Sequence, residues 1–243
     1  FYEEEWNRVV IAQEAITLEK YIKATRNGRG TRLDRKKRMQ VWKVFENYQN
    51  LMKENQIRDI NTAMYESTKL LESMGSRQPY ASVVIDEGQD FSDNAYRLIR
   101  ALAGEEHPND IFVVGDSHQR IYRNHPTLSK CGIHVRGRSS ILKINYRTTE
   151  EIRKHAFGLL KGISFDDLDE GSDLGDQCQS LTHGEKPIIR NFNNANDEFD
   201  FLVNEIKKLR DSGVALTDIC VVARTKKLVD DYIALLTRAG IRS

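Results

Sequence analysis

A chain of 243 residues is long enough for one large domain or two smaller ones with a real core. Hydrophobic residues make up 39% and charged residues 30%, and no run approaches the ~18 consecutive apolar residues of a membrane span, so a helical membrane protein is excluded. The net charge of +1 hides segregation: residues 23 to 43 carry nine basic side chains against Asp34 alone, whereas residues 165 to 176 carry six acids and no base.

The opening FYEEEWNRVV has neither an initiator Met nor a basic, apolar leader, so the expectation is an excised segment without a secretory signal. Residues 1 to 74 predict helices. Trp6, Val9, Val10 and Ile16, then Val41, Trp42, Phe45, Tyr48, Leu51 and Met52, recur at three- and four-residue spacings, and NGRG at 27 to 30 separates the first two. After Gln78-Pro79, short apolar runs alternate with helical patterns. SVVID (82 to 86) and IFVVGD (111 to 116) predict buried parallel strands, since neither alternates in polarity. Between them, FSDNAYRLIRALAG predicts a helix capped by Ser92, with Leu98, Ile99 and Leu102 on one face and Gly104 as its stop.

SILKIN (140 to 145) predicts a third strand, and Thr148 and Glu151 have the spacing of a capping box opening a helix through Leu160. The acidic segment that follows reads as a mobile loop. Beyond it, PIIRNF and DICVVA predict strands. They alternate with a helix through Phe199, Leu202, Val203, Ile206 and Leu209 and a last one through Leu228, Tyr232 and Leu236. The alternation predicts an α/β protein with a domain boundary near residue 138. Cys131, Cys178 and Cys220, odd in number and widely spaced, argue for ordinary thiols in a reducing cytoplasm, and the six His show no metal-ligand spacing. The basic stretch reads either as a solvated helix face or as a surface turned toward a polyanion.

VVIDEGQD brings Asp86 and Glu87 to the C-terminal end of an apolar strand, where ligands bind in open parallel sheets. One carboxylate there can hold hydrated Mg²⁺ against nucleotide phosphates while its neighbour orients an attacking water; helix capping is the structural alternative. VVGDSHQRIY ends the next strand and sets Asp116 and Gln119 within reach of the same crevice. Gln119 can sense a γ-phosphate by hydrogen bonding, and Tyr122 can stack on a nucleic-acid base or simply pack. NYRT places Arg147 at a third strand end, as an arginine finger or as one half of a surface ion pair.

In this order and at these separations, VVIDEGQD, VVGDSHQRIY and LKINYRT resemble motifs II, III and IV of the UvrD/Rep-type superfamily 1 DNA helicases, across about residues 80 to 152. The resemblance implies that Asp86 coordinates Mg²⁺ through water, Glu87 is the catalytic base, Gln119 couples the γ-phosphate to DNA, Arg147 contacts the γ-phosphate and Tyr146 stacks on the adenine of ATP. VVART (221 to 225) looks like the further strand motif of a second RecA-like domain. The basic helices look like helical subdomain 1B, with Arg35, Lys36 and Lys37 toward flanking duplex and Arg120, Tyr122 and Arg123 toward single-stranded DNA. The implied fold is that of a P-loop NTPase with RecA-like parallel sheets: a helical subdomain at 1 to 78, a partial first RecA-like domain at 79 to 138, and a partial second at 139 to 243. The implied partners are DNA and the remaining helicase domains of a longer chain.

The sequence departs from that family in three places. Nothing in residues 1 to 80 matches the Walker A loop G-x-x-x-x-G-K-[ST]. GIHVRGRS (132 to 139) has its glycine spacing, but Arg138 replaces Lys and the stretch precedes a strand instead of following one. Asn124 stands where an aromatic residue commonly adds a second stacking contact. Gly88 stands where Ala is usual, which reads as a small change. The expectation is therefore a motor segment inactive by itself. The alternatives are a nucleic-acid-binding protein with a degenerate helicase fold, or the motor of a DNA-end-processing nuclease complex.

Overall fold

The structure, a computed structural model, describes residues 1–26, 30–74, 80–119, 127–163, 165–166, 172–173 and 178–241. The chain divides into two compact units, Phe1–His183 and Gly184–Ser243. Among the described residues, no helix is long and apolar enough to cross a membrane.

The first unit begins with helices, as the apolar spacing predicts: α1 (Tyr2–Glu5) runs into a π-helical stretch at Trp6–Ile11, followed by α2 (Leu18–Lys23), α3 (Arg35–Glu54) and α4 (Ile60–Met74). Their start signals are local. Thr17 accepts from the Lys20 N–H and Asp34 from the Lys37 N–H, each offering an oxygen to a first-turn donor that has no helical partner. Trp6, Val9, Val10, Ile11, Tyr21, Val41, Trp42, Phe45 and Met52 form one buried cluster. Leu51 and Tyr48, expected in that stripe, lie on its exposed margin. Within this apolar cluster Glu5 is fully buried, which is tolerable because Arg26 reaches its carboxylate through Nε at 2.6 Å and Nη2 at 2.9 Å and the Tyr21 hydroxyl donates at 2.9 Å. The NGR of the expected break at 27 to 30 lies outside the described residues.

Strands β1 (Val83–Ile85) and β2 (Ile111–Val113) pair in parallel, Val83 opposite Ile111, as a strand–helix–strand unit requires. The connecting α5 (Asp93–Ala103) is capped by Ser92, whose Oγ accepts from the Ala95 N–H, and ends at Gly104 with φ 77°. Tyr96 and Ile99 of α5 and Ile85 of β1 bury against Leu128, Cys131 and Ile133, while α4 packs along the same helix and Arg97 donates to the Ala12 carbonyl at 2.6 Å. The expectation that both strands are buried on both faces fails. Val84 is 72% and Phe112 63% exposed, because among the described residues this two-stranded sheet carries α5 on one face and nothing on the other.

Among the described residues, the predicted strand at 140 to 145 is a strand at β3 (Ile144–Asn145), which pairs in parallel with β6 (Gln179–Ser180). Helix α6 (Glu150–Leu159) starts one residue later than the expected capping box. Thr149, not Thr148, accepts the Ile152 N–H, and the Thr148 hydroxyl accepts from Asn145 Nδ2 at 2.6 Å. In the acidic segment read as a loop, β4 (Phe165–Asp166) and β5 (Ser172–Asp173) pair antiparallel; its other residues lie outside the described set.

In the second unit, α7 (Ala195–Asp211), capped by Asn194, and α8 (Lys226–Arg238), capped by Thr225, match the predicted helices. They close a small core of Val203, Ile206, Leu236 and Ile241. Among the described residues, PIIRNF and DICVVA have no ladder partner and form no strand, so Ile188, Ile189 and Val222 stay exposed. An apolar run becomes a strand only when a neighbour pairs with its backbone. The observed architecture is mixed α/β, with small parallel sheets and flanking helices.

Candidate functional site

At the C-terminal end of β1 the ladder does not simply stop. The Val114 N–H donates to the Ile85 carbonyl and the Val114 carbonyl accepts the Gly88 N–H, each at 2.8 Å, so one residue of the second strand's extension bonds to both sides of a two-residue excursion. Asp86 and Glu87 are that excursion. Both are exposed, and Glu87 takes the left-handed conformation (φ 51°, ψ 41°), sparsely populated by residues with a Cβ. Asp86 Oδ1 accepts the Glu87 N–H at 2.9 Å. The sequence places two carboxylates at a strand end; tertiary pairing lifts them out of it.

Directly beneath lies Gln89, 2% exposed, which sequence reasoning missed because a Gln following DEG carries no signal of burial. Its Nε2 donates to Glu87 Oε2 at 2.7 Å, and its Oε1 accepts the Asp116 N–H at 2.9 Å. Asp116 in turn accepts the His118 N–H at Oδ1 and Gln119 Nε2 at Oδ2, 2.9 and 2.8 Å away. Glu87, Gln89, Asp116 and Gln119 are thus joined hand to hand, and two of the predicted site residues, Glu87 and Gln119, stand at the ends of that chain. The slot is made by glycines. A Cβ on Gly115 would sit 2.8 Å from Gln89 Oε1, and one on Gly88 2.6 Å from Val113 Cγ1 and 2.8 Å from the Tyr96 hydroxyl. The Tyr96 hydroxyl donates to the Gly88 carbonyl at 2.6 Å. Gly88 in place of Ala is therefore not the small change that the sequence suggested: the space for a methyl group is already filled.

Tyr146 and Arg147 follow β3. Asn145 Oδ1 accepts the N–H of Arg147 at 2.8 Å and of Thr148 at 3.3 Å, a side-chain turn that presents Tyr146, 74% exposed, and Arg147 to solvent. Among the described residues the Arg147 side chain contacts neither Glu87 nor Gln119. His118, whose N–H donates to Asp116, sets its ring edge-on to Phe157 of α6 at 5.2 Å. Behind Arg147, Glu150 accepts from Arg153 Nη2 at 2.6 Å and Nε at 2.8 Å and from the Ser180 N–H at 2.8 Å. The Arg153 hydrogen bonds, then the Ser180 N–H, hold its carboxyl down at about 2.

Arg35, Lys36 and Lys37 are exposed in the first turn of α3, while Arg38 turns inward and donates to the carbonyls of Tyr21, Ile22 and Ala24. Arg120, Tyr122, Arg123 and Asn124 lie outside the described residues. Among the described residues no cluster of three or more His, Cys, Asp or Glu side chains forms a cage for a metal ion. Mg²⁺ needs none, because it binds through one or two carboxylates plus water and phosphate oxygens, and the solvent-facing carboxylate of Asp86 is a donor of that kind. Cys131, Cys178 and Cys220 are free thiols, and burial pushes the Cys131 thiol up to about 11.

Residues 7–125 match the UvrD/REP helicase N-terminal domain family and residues 140–242 the UvrD-like helicase C-terminal domain family. The chain is 26% identical over 187 residues to a probable DNA helicase II homolog of Mycoplasma pneumoniae, covering 74% of this chain and 26% of that protein. It is 28% identical over 178 residues to the mitochondrial ATP-dependent DNA helicase HMI1 of Saccharomyces cerevisiae, covering 68% and 24%. Against the ATP-dependent DNA helicase UvrD1 of Mycobacterium tuberculosis the identity is 26% over 218 residues, covering 83% and 27%. The chain spans about a quarter of the length of these relatives.

Proposed function

This chain belongs to the UvrD/REP helicase family, and from that membership we propose that it is the central section of an ATP-driven DNA translocase. The observation that carries the reading is the pair Asp86 and Glu87, lifted out of the β1–β2 ladder and tied through Gln89 and Asp116 to Gln119. Asp86 would hold Mg²⁺ through water, and the bound ion would supply charge neutralisation at the β- and γ-phosphates. Glu87 would orient the attacking water and take its proton, and Gln119 would report on the γ-phosphate. Arg147 would complete the charge stabilisation around that phosphate, and Tyr146, held in the open by Asn145, would stack on the adenine.

On this reading residues 79 to 138 and 139 to 243 belong to two successive RecA-like domains; the matched family stretches, which end at 125 and resume at 140, support a division there. Residues 1 to 78 form the helical subdomain, with Arg35, Lys36 and Lys37 on flanking duplex. Arg120, Tyr122 and Arg123 follow Gln119 directly in sequence and would grip single-stranded DNA, and the protein would work in the cytoplasm. The chain itself contains no Walker A loop, so by itself it would hydrolyse ATP negligibly.

The test is ATP hydrolysis by the full-length protein, with and without single-stranded DNA, beside its Glu87→Gln variant and beside the isolated 243-residue chain. DNA-stimulated turnover in the full-length protein alone, lost in the variant, is the expected result. Absence of stimulation in the full-length protein would sink the motor reading in favour of a nucleic-acid-binding protein, and robust turnover by the isolated chain would overturn its proposed inactivity.

A further inference from the structure

We propose that Gln89 is a positioning residue for hydrolysis: its buried amide fixes the Glu87 carboxylate and locks it in register with the Asp116–Gln119 turn. The inference rests on the reading of Glu87 as the base. Two features make the amide more than a space filler. Its orientation is dictated, because the Asp116 N–H can only donate, so Oε1 must face it and Nε2 must face Glu87. Reversing the amide would oppose donor to donor on one side and oxygen to carboxylate on the other. Its place is also reserved, since Gly115 leaves no room for a side chain beside Oε1 and Gly88 none beside Val113.

The carboxylate it holds sits on a residue with φ 51°, next in the chain to the solvent-facing Asp86, where nothing else in the described fold fixes the side chain: among the described residues Gln89 is the hydrogen-bonding partner of the Glu87 carboxylate. A base that must meet a water in one geometry loses rate when its carboxylate wanders, even where nucleotide binding is untouched. The same amide carries the position of Glu87 to the turn bearing Gln119, so that the γ-phosphate sensor and the base move as one piece.

The experiment compares kcat, KM for ATP, nucleotide-binding stoichiometry and melting temperature in the full-length protein, in Gln89→Met and in Gln89→Glu, with Glu87→Gln in parallel. Gln89→Met keeps the buried volume and removes both hydrogen bonds. Gln89→Glu, assayed at alkaline pH so that the carboxyl is ionised, keeps an acceptor for the Asp116 N–H but turns an oxygen toward Glu87, so it separates the turn's integrity from the hold on the carboxylate. The expected result is a fall in kcat on the order of 10- to 100-fold in both variants, with KM within about threefold and full nucleotide-binding stoichiometry. A Gln89→Met enzyme with kcat within about twofold of the parent overturns the proposal. So does a loss that merely tracks the fraction of protein able to bind nucleotide. If instead Glu87→Gln retains its activity, the reading of Glu87 as the base fails, and the proposal for Gln89 falls with it.

Discussion

The side-chain oxygen of Asn145 accepts the backbone N–H of Arg147 at 2.8 Å, and this bond, two residues in span, decides that the arginine leaves the strand toward solvent instead of continuing the ladder. The same oxygen takes the Thr148 N–H, and the amide nitrogen donates to the Thr148 hydroxyl. Replacing Asn145 by Ala removes three hydrogen bonds from a half-exposed turn, at a cost of about 1–2 kcal/mol. Asn145→Asp keeps the acceptor and lets the Thr148 hydroxyl donate, so it should lose less than half as much. Urea unfolding of the three proteins checks the order; equal stabilities would show that the turn does not depend on the side chain.

Gly88 makes a second prediction. Gly88→Ala sets a methyl carbon 2.6 Å from Val113 Cγ1 and 2.8 Å from the Tyr96 hydroxyl, and relief requires one of them to shift. Overpacking of this kind costs about 1–3 kcal/mol. Val113→Ala in the same chain removes the clashing carbon and should recover part of the loss, giving a favourable coupling in a double-mutant cycle. Additive losses in thermal unfolding would mean that the clash is relieved elsewhere.

Acid should act on Glu150. Its carboxyl is held down at about 2 against an ordinary 4.5 by Arg153 and the Ser180 N–H. A group depressed in the folded state contributes stability that is complete above its unfolded value and is lost as pH falls through its folded one. The window is therefore about 4.5 down to 2. Melting temperature should fall across that window in the parent and more gently in Glu150→Gln, whose neutral amide does not titrate. Parallel curves would remove Glu150 from the account of acid unfolding.

For the proposed duplex interaction, Arg35→Gln, Lys36→Gln and Lys37→Gln together should lower the salt dependence of DNA binding. Every phosphate that the protein no longer neutralises reduces the slope of log K against log salt by about 0.9. Arg38 is not part of this set, because it is spent on the carbonyls that end α2. An unchanged slope in a titration at several salt concentrations would show that this helix face is merely solvated.

How much was legible follows from what each residue needed. Helices α3, α5, α7 and α8 declared themselves, because a three- to four-residue apolar repeat, joined in α5 by the cap Ser92, is a property of one segment. Strands were legible only where a partner stands beside them: SVVID and IFVVGD pair, whereas PIIRNF and DICVVA pair with nothing among the described residues. Asp86, Glu87 and Gln119 stood out by type and order along the chain. Gln89 did not, since nothing about a polar side chain in sequence says that it will be enclosed.

By itself the sequence determined the family, the helical segments with the cap of α5 at Ser92, and the carboxylates and amide set at two strand ends, because these depend on residue type and spacing alone. Tertiary structure decided the rest. Only the bonding of Val114 to both Ile85 and Gly88 lifts Asp86 and Glu87 out of the ladder, and only the glycine-lined slot at 88 and 115 lets Gln89 join Glu87 to Asp116. Both depend on groups 26 to 29 residues apart in the chain being brought within a hydrogen bond of each other, which no local pattern encodes.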